Sequence, residues 1–252
     1  MKVLTHLSLF SGIGGLDLAA EWAGIKTVGQ CEWADYPTKV LEKHWPDVPR
    51  WRDIHDLSAD EFIRRTGHAT VDCISGGFPC QPHSLAGKRM ASCDERDMWP
   101  EMRRVISDIK PRWVVAENVP GILSSENGRF FRSILWDFSE MGFDVGWGVT
   151  SAAGFGAIHR RERVAIIAHT NKERLQRWVS EEKYKKADEQ FKRTYLHLLR
   201  HTDAQYLSES GFLRKFNGVR DRVDRTKCLG NAVVPQQFYP IFKAIAEIEQ
   251  MK

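Results

Sequence analysis

Short apolar runs that alternate with helical patterns constrain this chain more than any other feature. The runs "VLTHLSLF", "TVGQCEW", "VDCISGG", "RWVVAEN" and "RVAIIAH" read as strands, and "GLDLAAEWAG", "YPTKVLEKHW", "MWPEMRRVISDI" and "FRSILWDFSEMG" read as helices between them. Strand-length runs set between helix-length segments specify an α/β fold, a mostly parallel sheet with helices on both faces. Such a sheet binds ligands in the crevice beyond the carboxyl ends of its strands, and the chemically distinctive residues here cluster at those ends. With 252 residues and 42% hydrophobic content, there is material for one well-buried core and a small appendage.

No stretch of eighteen apolar residues occurs, and the N-terminal "MKVLTHLSLFSGIGG" meets glycine before a signal-type run can build. The expectation is a soluble, intracellular protein. Its five cysteines, Cys31, Cys73, Cys80, Cys93 and Cys228, are odd in number and contain no C-x-x-C pair, which fits a reducing compartment. Charge is unevenly spread: residues 171–227 hold 15 Lys+Arg against 9 Asp+Glu, a net +6, leaving 22 against 24, or −2, elsewhere. A basic segment on a neutral-to-acidic body suits binding to a polyanion through one part of the surface.

At the first strand end, "LFSGIGGLDLA" carries Gly12, Gly14 and Gly15, which would let the backbone approach a ligand before a helix opens; an ordinary strand-to-helix turn reads the same way. Glu32 ends the next strand, where an acidic side chain can accept hydrogen bonds from ribose hydroxyls. Asp53 and Ile54 are further candidate contacts, although an Asp there can equally cap a helix. Cys80 follows a strand in a loop made tight by Gly76, Gly77, Pro79 and Pro82, a placement suited to reaction rather than packing. Glu117 ends another strand and offers a carboxylate. Arg161 and Arg163 alternate on one strand face and could enter the same pocket, or form a solvated basic edge.

Taken in order, "FSGIGG", "GGFPCQ", "ENVPG", "RRER" and "LGNAVVP" resemble the motifs of the DNA (cytosine-5) methyltransferases, over residues 4–169 and about 220–245. The resemblance implies a class I S-adenosylmethionine-dependent methyltransferase fold, Rossmann-like, with a small inserted target-recognition segment. It makes Cys80 the nucleophile that adds to C6 of cytosine, Glu117 the acid beside N3, and Arg161 and Arg163 the pair that holds the O2 side and orients Glu117. It assigns Phe10, Gly12, Ile13, Gly14 and Gly15 to the S-adenosylmethionine site, Glu32 to its ribose, and Trp33, Asp53, Ile54, Pro79, Trp99, Asn231, Ala232 and Val233 to other cofactor contacts. Chemistry at C5 of a stacked base requires the base to be flipped out, so the implied substrate is duplex DNA. A mobile loop including Gln81, Ser84, Lys88, Arg89 and Arg96 would close on it. The implied product is S-adenosylhomocysteine, and no metal is needed. The implied setting is a monomer in the cytoplasm of a bacterial or phage-infected cell, without membrane association, with a cognate restriction endonuclease as a partner in the same system.

The resemblance divides the chain into a catalytic and cofactor-binding part at 1–169, a target-recognition segment at 170–219 and a C-terminal return at 220–252. Two local departures stand out: His159 replaces the usual Gln before the arginine pair, after Ile158 where Pro is usual, and Ala232 replaces a common Ser. The larger one is the middle segment, which reads as helical. Leu175, Trp178, Val179, Ala187, Phe191, Tyr195, Leu198 and Leu199 fall at spacings of three and four, with Lys185, Lys186, Lys192 and Arg193 between them as candidate phosphate contacts. Alternative readings are a zinc site from Cys80, His83 and Cys93, an NAD-dependent oxidoreductase, a tRNA cytosine-5 methyltransferase, and a non-catalytic DNA-binding relic.

Overall fold

The computed structural model describes residues 3–79, 97–157, 159–170 and 232–250. The expectations for Cys80, Gln81, His83, Ser84, Lys88, Arg89, Cys93 and Arg96, for Ile158, and for the middle segment with Lys185, Lys186, Lys192 and Arg193, lie outside the described residues, as does that for Asn231. Among the described residues seven strands form one sheet: β1 (Thr5–Leu9), β2 (Lys26–Cys31), β3 (Arg50–Trp51), β4 (Cys73–Gly77), β5 (Trp113–Asn118), β6 (Phe143–Ser151) and β7 (Glu162–Thr170). Their spatial order is β3-β2-β1-β4-β5-β7-β6; β3 to β5 run parallel, and β7 runs antiparallel to both of its neighbours. The expected mostly parallel sheet is present.

Alternation along the central strands builds two cores. In β5, Val114 and Ala116 face one layer while Trp113 and Val115 face the other, and β7 divides likewise into Val164, Ile166 and Ala168 against Ala165 and Ile167. Strands covered on both faces read as continuous apolar runs, as the "WVVA" of β5 does, and β5 is buried throughout. On one face lie α3 (Ala59–Thr66), α4 (Trp99–Ile109) and α5 (Arg129–Glu140), through Phe62, Met102, Ile106, Ile134 and Phe138. On the other lie α1 (Gly15–Trp22) and the C-terminal α6 (Pro235–Gln250), through Leu16, Ala19, Ala20, Phe238, Ile241 and Phe242. The remaining helix, α2, spans Asp35–His44.

Small residues on α1 let α6 pack closely, and each fully buried Phe of α6 contributes roughly 1.5–3 kcal/mol of transfer free energy. The far end of α6 is tied down by polar contacts. Arg112 donates to Asp72 at 2.6 Å and pairs with Glu249, which also accepts the Trp113 indole N–H at 3.0 Å. That cluster sits at the amino ends of the strands. The opposite edge, where β1, β2, β4 and β5 end and β7 begins, is left for the site.

Candidate active site

The cofactor half grows from the end of β1. Phe10 has a φ of 50°, a left-handed conformation costing a non-glycine residue roughly 1–2 kcal/mol. The chain then turns through Gly12 and Gly14 into α1. At Gly15 the requirement for glycine is steric: a Cβ would lie 2.4 Å from the Val233 carbonyl oxygen, so the late motif closes directly onto the first turn of α1. Above Gly12 the situation is reversed, with no atom within 4 Å of a would-be Cβ. That open space is bordered by Glu32, whose Oε2 accepts the Gly12 N–H and whose Oε1 accepts the Ala34 N–H, both at 2.8 Å. A carboxylate offers about four acceptor sites, so two stay available for hydroxyl donors such as those of a ribose. Trp33, next in sequence, is 72% exposed, an aromatic face with little protein against it. Glycine-lined space, a half-satisfied carboxylate and an exposed indole at one strand end suit an adenosine-containing cofactor.

Other residues assigned to the cofactor by resemblance have these local settings. Asp53 caps the short helical turn Ile54–Asp56, accepting the His55 N–H at 2.9 Å and contacting its Nδ1 at 2.6 Å. These bonds hold the Asp53 carboxyl below the usual range. Ile54 is buried in the main core. Trp99 is buried between Phe78 and Phe138, at ring separations of 5.3 and 5.1 Å, and donates its indole N–H to Asp137 at 2.7 Å. It therefore backs the chain just ahead of Pro79, which is itself exposed.

The second half of the site lies at the ends of β4 and β5. Glu117 is paired across the sheet with Gly77, and a Cβ on Gly77 would lie 2.7 Å from Glu117 Oε2, so the glycine makes room for the carboxyl. Arg163, from the neighbouring antiparallel strand, reaches Glu117 Oε1 through Nε at 2.7 Å, with side chains 13% and 11% exposed. Burial pushes the Glu117 carboxyl above the ordinary range, against the opposing pull of Arg163 and Arg161. Burial and the two arginines thus act in opposite senses on one carboxyl at this sheet edge. The reading of Arg163 as part of a solvated edge does not hold.

Arg161 departs from strand alternation. It precedes β7, has a φ of 34°, and turns its guanidinium to the Ala232 carbonyl. Asn118 was not singled out from sequence. It is buried, donates from Nδ2 to the Phe78 carbonyl at 3.0 Å and accepts the Val119 N–H at 2.8 Å, clamping the end of β4 to the end of β5. Its position beside Glu117 in "AENVPG" was the available signal. His159 is half-buried, and its Nδ1 has no partner among the described residues. No group of three His, Cys, Asp or Glu among the described residues is placed to hold a metal.

Comparison with known proteins agrees with this architecture. Residues 4–212 match the sequence pattern of the C-5 cytosine-specific DNA methylases. The chain is 34% identical over 165 residues to the type II methyltransferase M.BsuFI of Bacillus subtilis, a match covering 65% of this chain and 39% of that one. It is 35% identical over 173 residues to the type II methyltransferase M.Eco47II of Escherichia coli, covering 68% and 40%. Among solved structures, a DNA modification methyltransferase candidate encoded within an E. coli prophage superposes with a TM-score of 0.59 at 26% identity, covering 68% of this chain and 48% of that one. The chain thus spans well under two thirds of the curated relatives it matches. With the pattern matched over most of its length, and with the carboxylate, arginine pair and glycine turn gathered at one sheet edge, the chain belongs to the C-5 cytosine-specific DNA methylase family.

Proposed function

We propose that this protein methylates C5 of a flipped-out cytosine in duplex DNA with S-adenosylmethionine as methyl donor. The observation that carries the reading is Glu117: a buried carboxyl with raised proton affinity, braced by Arg163 at 2.7 Å, beside the strand end that leads through Pro79 to Cys80. Carbon C5 of cytosine is not nucleophilic until something adds at C6. In this scheme the Cys80 thiolate forms a bond to C6, and Glu117 shares its proton with N3, relieving the charge that addition drives onto the ring. Arg161 and Arg163 steady the O2 side of the base and Glu117 itself. Bound S-adenosylmethionine supplies the methyl group for C5. Loss of the C5 proton then returns an electron pair to the ring, the C5–C6 double bond re-forms, and Cys80 leaves as thiolate.

Phe10, Gly12, Ile13, Gly14, Gly15, Glu32 and Trp33 would hold the cofactor together with Asp53, Ile54, Pro79 and Trp99, with Asn231, Ala232 and Val233 returning to the same pocket. We assign residues 1–169 to catalysis and cofactor binding, 170–219 to target recognition and 220–252 to the C-terminal return; the packing of α6 on α1 supports the last of these. Gln81, Ser84, Lys88, Arg89 and Arg96 would face DNA from the loop, and Lys185, Lys186, Lys192 and Arg193 would meet phosphates. By analogy with the type II methyltransferases it matches, a restriction–modification role fits, with action as a monomer alongside a cognate endonuclease. Bisulfite sequencing of DNA from cells expressing the protein tests the proposal. Cytosines protected at one recurring site are expected. Unprotected DNA together with methylated tRNA would overturn it.

A further inference from the structure

Gln237 lies in the first turn of α6 and is completely buried. Its amide Nε2 donates to the carbonyl oxygens of Thr150 at 3.2 Å and Arg161 at 3.0 Å. Two carbonyls on one side fix the amide orientation, because an amide oxygen in that place would face two acceptors. Its own Oε1 has no partner among the described residues, a burial that costs free energy and that an apolar side chain would avoid. The side chain is therefore explained by its donor.

What that donor holds is the least regular part of the site. Arg161 carries a φ of 34° in a chain whose neighbouring Arg160 carbonyl accepts from Ser151 Oγ at 2.6 Å and from the Ala152 N–H at 2.9 Å. The Arg161 guanidinium reaches the Ala232 carbonyl, so segment 232–237 grips Arg161 by both its side chain and its main chain. The same segment places the Val233 carbonyl against Gly15. Two residues beyond Arg161, Arg163 is register partner to Thr150 and braces Glu117.

We propose that Gln237 is a positioning residue that fixes the backbone at Arg161, and with it the aim of Arg163 at Glu117, relative to the cofactor turn at Gly15. The role rests on the methyltransferase reading above. One strand end and one helix start, far apart in sequence, are joined by this amide beside the Arg161–Ala232 contact.

The test compares the full-length wild type with Gln237→Met, which keeps the volume and removes the donor, and Gln237→Glu, whose protonated form keeps one O–H donor. Three readouts are taken: hydrogen exchange of a peptide covering residues 150–165, S-adenosylmethionine binding by calorimetry, and kcat on duplex DNA from pH 6 to 8. Exchange in Gln237→Met should quicken, and kcat should fall by about 10²-fold, the scale of a small misplacement of catalytic groups, with cofactor affinity retained. Gln237→Glu should regain kcat as pH is lowered, because only its neutral form can donate to a carbonyl. Unchanged exchange and kcat in Gln237→Met would overturn the role while leaving the functional reading intact. A loss confined to cofactor affinity, or a kcat loss in Gln237→Glu that lowering the pH does not relieve, would overturn it too. A wild type that leaves duplex DNA unmethylated would instead remove the functional reading, and the positioning role with it.

Discussion

Replacing Asp17 with Asn should stabilise this protein at neutral pH, by an amount that depends on pH in a defined way. Asp17 sits fully buried in the first turn of α1, where Ser8 Oγ donates to Oδ2 and Gln30 Nε2 to Oδ1, each at 2.8 Å. Gln30 in turn accepts from Arg50 Nε at 2.8 Å. Burial dominates over these bonds and raises the carboxyl from 3.8 to about 6. Because the folded-state value lies above the unfolded one, the contribution of this group is fully present below pH 3.8 and is lost as pH rises through about 6. At about 1.4 kcal/mol per pH unit, the native state gives up about 3 kcal/mol by pH 7. Asn keeps the geometry: its carbonyl accepts from Gln30, and its amide donates to the Ser8 hydroxyl, which can accept. Urea unfolding of wild type and Asp17→Asn across pH 4–7 should show the variant more stable by about 3 kcal/mol at pH 7, the gap closing toward pH 4. A pH-independent gap, or a variant less stable at pH 7, would show that the Gln30–Arg50 chain outweighs burial.

Three further expectations concern the site. Arg163→Met strands the buried Glu117 carboxyl and should cost about 3–5 kcal/mol where Glu117 is ionised, a range that burial moves upward from the ordinary carboxylate one, and less at lower pH where Glu117 is protonated. Adding Glu117→Gln should restore stability without activity; the exposed Arg52–Asp35 pair, 50% and 83% exposed, is the control whose loss leaves the unfolding midpoint unmoved. In Gly15→Ala the new Cβ meets the Val233 carbonyl oxygen, so S-adenosylmethionine titration should show weakened binding and denaturation a loss of about 1–3 kcal/mol; wild-type values in both would contradict this. Asn118→Ala frees the Phe78 carbonyl and the Val119 N–H, with an expected loss of about 1–3 kcal/mol and a lower kcat at unchanged cofactor affinity. A kcat equal to wild type would show that the clamp does not matter to the Cys80 loop.

The sheet was legible in sequence where strands are central and apolar, because burial on both faces leaves an uninterrupted apolar run, as in the "WVVA" of "WVVAEN" and the "VAIIA" of "RVAIIAH". The strands that escaped lie at its edges. Arg50–Trp51 is too short to show a period, and Phe143–Ser151 is broken by two glycines and half exposed. Helix α6 was masked by Pro240 within it. In the site, the glycine turn, Glu32, Glu117 and the arginine pair could be named from motif order, since their spacing in the chain carries the signal. Asn118 has a signal in its place beside Glu117, but its clamp, the clamp of Gln237 and the irregular backbone at Arg161 could not be read there. Each depends on a side chain meeting a main-chain carbonyl from a distant segment, 40 residues away for Asn118 and 76 for the Gln237–Arg161 bond, and no local pattern encodes that meeting.

The proposed function rests on attack by Cys80 at C6 of a flipped cytosine while Glu117 manages the proton at N3. Duplex DNA carrying 5-fluorocytosine at the methylated position tests it most directly, because fluorine cannot leave C5 as the proton does. With S-adenosylmethionine present, the wild type should form a denaturant-stable adduct whose peptide maps to Cys80, Cys80→Ala should form none, and Glu117→Gln should form it far more slowly. No adduct from a wild type that still methylates ordinary DNA, or an adduct that persists in Cys80→Ala, would contradict covalent attack by Cys80.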